Sequence, residues 1–122
     1  MKDAEPNSII EILTIDLKPG RRDEFHQLYV SEALPLLKRW NFQVLAHGPS
    51  LHDQNSYYVI RQFQSLEERQ RSEDAYYTSD DWQEGPRSRI LGLVDHFAYA
   101  VISDKTLTAS AALRFARLTF FL

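Results

Sequence analysis

Cysteine is missing from the 122-residue chain. That excludes disulfides, thiolate nucleophiles and cysteine-held zinc. Glycine occurs only four times, too sparsely for a Gly-rich phosphate loop, and no Gly-x-Ser-x-Gly elbow is present. Excess positive charge is also lacking: the formal net charge is −3. A nucleic-acid partner, which needs a basic face to displace phosphate counterions, is therefore not expected. No run approaches the roughly 20 apolar residues of a membrane span. Residues 1–7 are polar, carry Pro6 and read as a disordered lead without a secretory apolar core. The expectation is a cytoplasmic protein with one main domain.

What is present reads as strands and helices in alternation. Ser8–Leu17 is rich in β-branched residues and reads as a first strand. Lys18-Pro19-Gly20 is a turn. Arg21–Trp40 carries a helical pattern through Phe25, Leu28, Tyr29, Glu32, Leu36 and Leu37, with Pro35 expected to kink it or split its last turn. Phe42–His47 reads as a second strand, Gly48–Ser56 as turn chemistry, and Ser56–Gln64 as a third strand. Ser65 and Glu68 have the spacing of a capping box ahead of a helix over Leu66–Tyr77. A short helix from Ser79 through Trp82, an interruption at Gly85-Pro86, a helix over Arg87–Leu93 and a strand over Val94–Ile102 complete the pattern.

The order is βαββαβ, an α+β, ferredoxin-like arrangement with a four-stranded antiparallel sheet. Helices on one face leave the other uncovered. Both faces of the first strand are mostly apolar, so a second copy is expected to cover it, giving a homodimeric α/β barrel. The alternative cover is the tail, 103–122, which carries three basic residues against one acidic and reads as a short helix or a disordered segment.

Three stretches resemble the NIPSNAP family. They are Glu11–Gly20 (EILTIDLKPG), Ile60–Arg69 (IRQFQSLEER), and Ala75–Trp82 (AYYTSDDW) followed by Gly85-Pro86-Arg87. The resemblance spans about residues 8–102. It implies a dimeric α/β barrel related to antibiotic-biosynthesis and haem-degrading monooxygenases, with no agreed catalytic residues to carry over. Members often place Arg two positions after the first-strand glutamate, where this chain has Leu13.

Alternation places Ile9, Glu11, Leu13 and Ile15 with Val59, Arg61 and Phe63 on one face, taken here as the face away from the helices. Glu11 and Arg61 are then charges in an apolar surround, which must pair or hold a ligand. Two readings stand: an internal ion pair, or a site where Arg61 grips a carboxylate or enolate and Glu11 acts as base or orienter. His47 and His96 are candidates to line a cavity as proton carriers. No two of the four histidines have metal-ligand spacing, so neither metal nor cofactor is expected. Trp82 is either an aromatic cap over a pocket or core packing. The charged run Glu67–Asp74 reads as a solvated helix face. Three functions follow: a binder of a small, mostly apolar molecule in a sheet-lined cavity, a cofactor-independent monooxygenase of the antibiotic-biosynthesis type, or an interaction module that docks through its tail.

Overall fold

Branched and aromatic residues in period-two runs form four strands in the computed structural model, which describes residues 8–107. They are β1 (Ile9–Leu17), β2 (Gln43–Pro49), β3 (Ser56–Phe63) and β4 (Val94–Ser103). Every neighbouring pair is antiparallel, and the order is β2-β3-β1-β4. Between β1 and β2 run α1 (Arg22–Leu28), a π-helical turn (Tyr29–Ala33) and α2 (Leu34–Arg39). Between β3 and β4 run α3 (Leu66–Tyr77), α4 (Asp80–Gln83) and α5 (Arg87–Leu93). This is the ferredoxin-like α+β order expected from the sequence. Residues 1–7 and 108–122, which include most of the tail, lie outside the described residues. The described start of the tail has helical backbone over 104–107.

The register joins Ile9, Glu11, Leu13 and Ile15 to Phe63, Arg61, Val59 and Tyr57, so these eight share a face. The helices cover that face, the reverse of the expectation. Ile9, Ile15, Tyr57, Val59 and Phe63 form one buried cluster with Phe25, Tyr29 and Leu37 of the first helical run and with Tyr76, Trp82 and Ile90 of the second. Alternation assigns residues to a face. It does not say which face the helices take when both are apolar. The opposite face carries Ile10, Ile12, Thr14, Tyr58, Ile60, Ala98 and Ala100. Of these, Thr14, Ala98 and Ala100 are exposed and Ile12, Tyr58 and Ile60 are half-buried.

Local chemistry sets the element ends. Pro35 has no N–H and would crowd the carbonyl four residues back in a regular helix. The chain meets this with the π turn just before it, a wider coil than the kink expected. The turn also corrects an alignment. An ordinary α-helix drifts by about 40° per four-residue step, and the π turn takes up that drift, so Phe25, Tyr29, Ala33 and Leu37 stay on one side. At the end of α2, Asn41 adopts a left-handed conformation (φ 65°). The amides of Phe42 and Asn41 then donate to the carbonyls of Leu37 and Lys38 at 3.0 Å each, a Schellman closure.

β2 runs two residues past its expected end. Gly48 and Pro49 still pair with Tyr58 and Tyr57, at an edge where the missing proline N–H is tolerated. Leu45 is extruded as a bulge between Val44 and Ala46. Ser65 caps α3, accepting from the Glu68 amide at 3.0 Å. The Glu68 carboxylate reaches the amide of Gln64 instead of that of Ser65. The box is therefore closed one residue early.

Candidate functional site

β1 and β3 deliver Glu11 and Arg61 side by side into the space beneath the helices. Their side chains are 1% and 3% exposed as residues, among the most buried in the protein. Arg61 donates Nε to Glu11 Oε1 at 2.7 Å and also bonds that oxygen through Nη2. It donates Nη1 to the Tyr77 hydroxyl at 3.1 Å and Nη2 to Glu73 Oε1 at 3.0 Å. The second oxygen of Glu11 accepts from Arg69 Nε at 2.6 Å, and Arg69 also pairs with Glu73 at 3.3 Å. Two arginines and two glutamates thus alternate in a closed, formally neutral quartet. Arg69 is further held by the ring of Tyr99 on β4, 4.8 Å from its guanidinium.

Arg69 and Glu73 correct the reading of Glu67–Asp74 as a solvated face. They stand one turn apart on α3 and turn inward, with side chains only 13% and 17% exposed. The inward stripe of α3 is charged at Arg69 and Glu73, where it docks onto a charged pair in the sheet, and turns apolar only at Tyr76. Their four-residue spacing was the available signal, together with the need of a buried Glu11–Arg61 pair for further partners. Tyr77, further along the same helix, was weighed with Trp82 as an aromatic cap or as packing, and its hydroxyl instead accepts from Arg61.

The quartet is unequal in its affinity for protons. Burial pushes the Glu11 carboxyl up, but its hydrogen bond with Glu73 and the guanidiniums of Arg61 and Arg69 outweigh this and hold it below the ordinary range. Glu73 moves the other way, up to about 7. Burial is the main cause, followed by hydrogen bonding to Glu11 and the Glu11 charge, against which Arg61 and Arg69 pull down. A proton entering the quartet near neutral pH therefore goes to Glu73.

A cavity of about 570 Å³ opens beside the quartet, within the range of small-molecule sites. Leu13, Ile15 and Val59 form its floor. Phe25, Tyr29, Ala33 and Leu37, aligned by the π turn, form one wall. Trp82, Ile90, Leu91, Val94 and Phe97 form the other, and Glu11, Arg61, Arg69 and Glu73 close the polar end. The tryptophan is set by its neighbours: Ser79 caps α4, Trp40 Nε1 donates to Asp81 at 3.0 Å, and the rings of Tyr76 and Tyr77 stand 5.6 and 5.3 Å away. Tyr29 and Tyr76 also belong to the cavity walls, are 5% and 1% exposed, and have buried hydroxyls with no hydrogen-bond partner among the described residues. Burial raises both phenols well above their usual value, so both are protonated donors at neutral pH.

The structure brings together three of the five sequence candidates, Glu11, Arg61 and Trp82. The two histidines stand elsewhere. His47 pairs with Val59 on the covered face, but its Nδ1 is 2.9 Å from the Tyr57 hydroxyl, which His26 Nδ1 also meets at 2.8 Å. The shared hydroxyl occupies both rings and keeps His47 out of the cavity lining. Burial, then the charges of His26 and Lys38, lower its pKa. His96 pairs with Asp16, which puts it on the open face, exposed to solvent. Among the described residues no group of three or more His, Asp or Glu is placed to hold a metal ion. No helix among them is long and apolar enough to cross a membrane.

The NIPSNAP family model matches residues 10–101. Among solved structures, an uncharacterised NIPSNAP-like domain protein from Burkholderia xenovorans is 21% identical, with a TM-score of 0.73 over 79% of this chain and 84% of that one. A NIPSNAP family protein of unknown function from Agrobacterium tumefaciens is 17% identical, with a TM-score of 0.74 over 84% and 93%. A Chloroflexus aurantiacus protein provisionally assigned as an antibiotic biosynthesis monooxygenase is more distant, at 15% identity and a TM-score of 0.56 over 80% and 92%. At these identities the likeness concerns the fold. No curated protein matches the chain.

Proposed function

The chain belongs to the NIPSNAP family, and from that premise we propose that it acts as a cytoplasmic homodimer that binds a small, mostly apolar molecule. The family's solved members matched here are themselves of undefined activity. The cavity beneath the helices carries the reading. Its walls are apolar, its volume suits a one- or two-ring compound, and its polar groups gather at one end, where they would orient a single polar substituent. The open sheet face, with Ile12, Tyr58 and Ile60 half-buried beside exposed Ala98 and Ala100, supports pairing with a second copy.

Native mass spectrometry of the purified protein, with and without added 7-methoxycoumarin, tests both parts. The expected spectrum is a dimer that retains a small molecule or takes up the coumarin. A monomer of 14.2 kDa at micromolar concentration overturns the dimer. A protein that stays empty, and whose unfolding temperature the coumarin leaves unchanged, overturns the binding reading.

A further inference from the structure

The quartet is an anion site that the protein has filled itself. Each of its two carboxylates bridges both arginines. Glu11 sets Oε1 on Arg61 and Oε2 on Arg69, while Glu73 sets Oε1 on Arg61 at 3.0 Å and Oε2 on Arg69 at 3.3 Å. All four carboxylate oxygens are thus engaged. Two guanidiniums at the end of an apolar cavity are what a ligand carboxylate seeks, because arginine holds a carboxylate strongly and directionally through two points of contact. Here Glu73 makes that contact in the ligand's place. It reaches in from α3, lines the cavity, and is the outermost of the four, with a side chain 17% exposed against 1% for Glu11. Asp74, which is exposed, also lines the cavity. Among the described lining residues, the acids Glu11, Glu73 and Asp74 therefore outnumber the bases Arg61 and Arg69.

Resting on the cavity reading above, we propose that Glu73 sets the ligand class: it holds the position between Arg61 and Arg69 that a ligand carboxylate would take, so the cavity admits uncharged ring compounds and refuses their carboxylates. A carboxylate that entered would have two courses. Left unpaired, it would give up its water with no partner in return, close to the like charges of Glu11 and Glu73. To reach the arginines it would have to push Glu73 aside, and Glu73 with Arg69 is what docks α3 onto the sheet pair. An uncharged ligand of the same shape meets neither cost. Its polar substituent needs only a hydrogen bond, and the guanidinium of Arg69, which also lines the cavity, carries more N–H groups than Glu11 and Glu73 occupy. The discrimination comes from what the wrong ligand would leave unpaired, a common way of building specificity.

The test uses one skeleton in two charge states, 7-methoxycoumarin-4-acetic acid and its primary amide, with 7-methoxycoumarin as the bare ring. Equilibrium dialysis reads binding at pH 8.5, above the value of about 7 to which burial and Glu11 raise the Glu73 carboxyl, so all four members of the quartet are charged. The wild type is expected to bind the amide at least about tenfold more tightly than the acid. Glu73→Gln keeps the shape of the side chain and leaves two arginines around one carboxylate. It should raise the affinity for the acid at least about tenfold and move that for the amide by less than about threefold. Glu67→Gln removes the same charge from an exposed position on the same helix and should change neither, which separates the site from a general effect of net charge. Should Glu73→Gln fail to fold, Glu73→Ala carries the comparison, and the wild-type preference needs no variant. A wild type with no preference for the amide overturns the proposal and leaves the cavity reading standing. So does a Glu73→Gln protein that still refuses the acid, or a gain in acid binding that Glu67→Gln matches. Failure of both the amide and the bare ring to bind overturns the cavity reading and the proposal with it.

Discussion

Replacing Arg61 by Met should expose how the quartet is held together. The side chain is 4% exposed and makes four hydrogen bonds, two to Glu11, one to Glu73 and one to Tyr77. Its loss leaves two buried carboxylates around one arginine. Breaking a buried ion pair by removing one partner costs about 3–5 kcal/mol. Arg69 still bonds Glu11 at 2.6 Å, so the lower end, about 3 kcal/mol, applies. In a domain of this size that lowers the unfolding temperature by about 10–15 °C. The cost should be smaller at pH 5 than at pH 8, because a protonated Glu73 leaves Arg69 to balance Glu11 alone. The double variant Glu11→Met/Arg61→Met keeps the Arg69–Glu73 pair and replaces the inner pair by apolar side chains. It should lie within about 1 kcal/mol of wild type, since such replacements are often near neutral. Urea unfolding of wild type, both single variants and the double variant, with equal m-values, gives the coupling. A coupling of at least about 2 kcal/mol is expected. Additive single costs, or an Arg61→Met protein within about 0.5 kcal/mol of wild type at pH 8, would refute the account of a mutually dependent quartet.

Three further expectations follow from the same structure. The Glu73 carboxyl binds its proton more tightly folded (about 7) than at its ordinary 4.5, so its contribution to stability is full below pH 4.5 and is lost as pH rises through 7. By linkage this amounts to at most about 3 kcal/mol, and unfolding curves between pH 5 and 7.5 should show a downward slope for wild type that Glu73→Gln lacks. Ser65→Ala removes the oxygen that accepts from the Glu68 amide and should lower stability by about 1 kcal/mol in urea unfolding. Gly85→Ala would bring a Cβ to 2.2 Å from the Asp81 carbonyl oxygen, so the end of α4 must shift. A loss of about 1–3 kcal/mol is expected, together with a change in the near-ultraviolet circular dichroism from Trp82 on that helix.

The topology was legible because each strand and helix carried its own period, and α3 and α5 begin and end where the capping and turn residues placed them. The Glu11–Arg61 pairing was legible too, since β1 and β3 are neighbours in the expected βαββαβ order and alternation puts both charges on one face, where the register sets them opposite each other. The covered face was not, because Ile10 and Ile12 are as apolar as Ile9 and Leu13. The charged half of the site escaped for a related reason. Hydropathy patterns find helix faces that bury carbon, and the inward face of α3 carries Arg69 and Glu73 before its one fully buried ring, Tyr76. His47 and His96 were chosen for their chemistry, and their positions then depended on a shared tyrosine hydroxyl and on strand parity.

The π turn over Tyr29–Ala33 makes the cavity wall a matter of chain length as well as of side-chain identity. Phe25 and Tyr29 lie on one side of the extra residue, and Leu37 on the other. Substituting any residue on the solvent side of this segment leaves the count unchanged and the wall aligned. Removing one residue from it would let the segment relax into ordinary turns and rotate one half of the wall by about 100° against the other. The helix is thus open to drift in composition and closed to a single-residue deletion, and homologues that share the cavity should share the spacing between Tyr29 and Leu37 more faithfully than the residues in between.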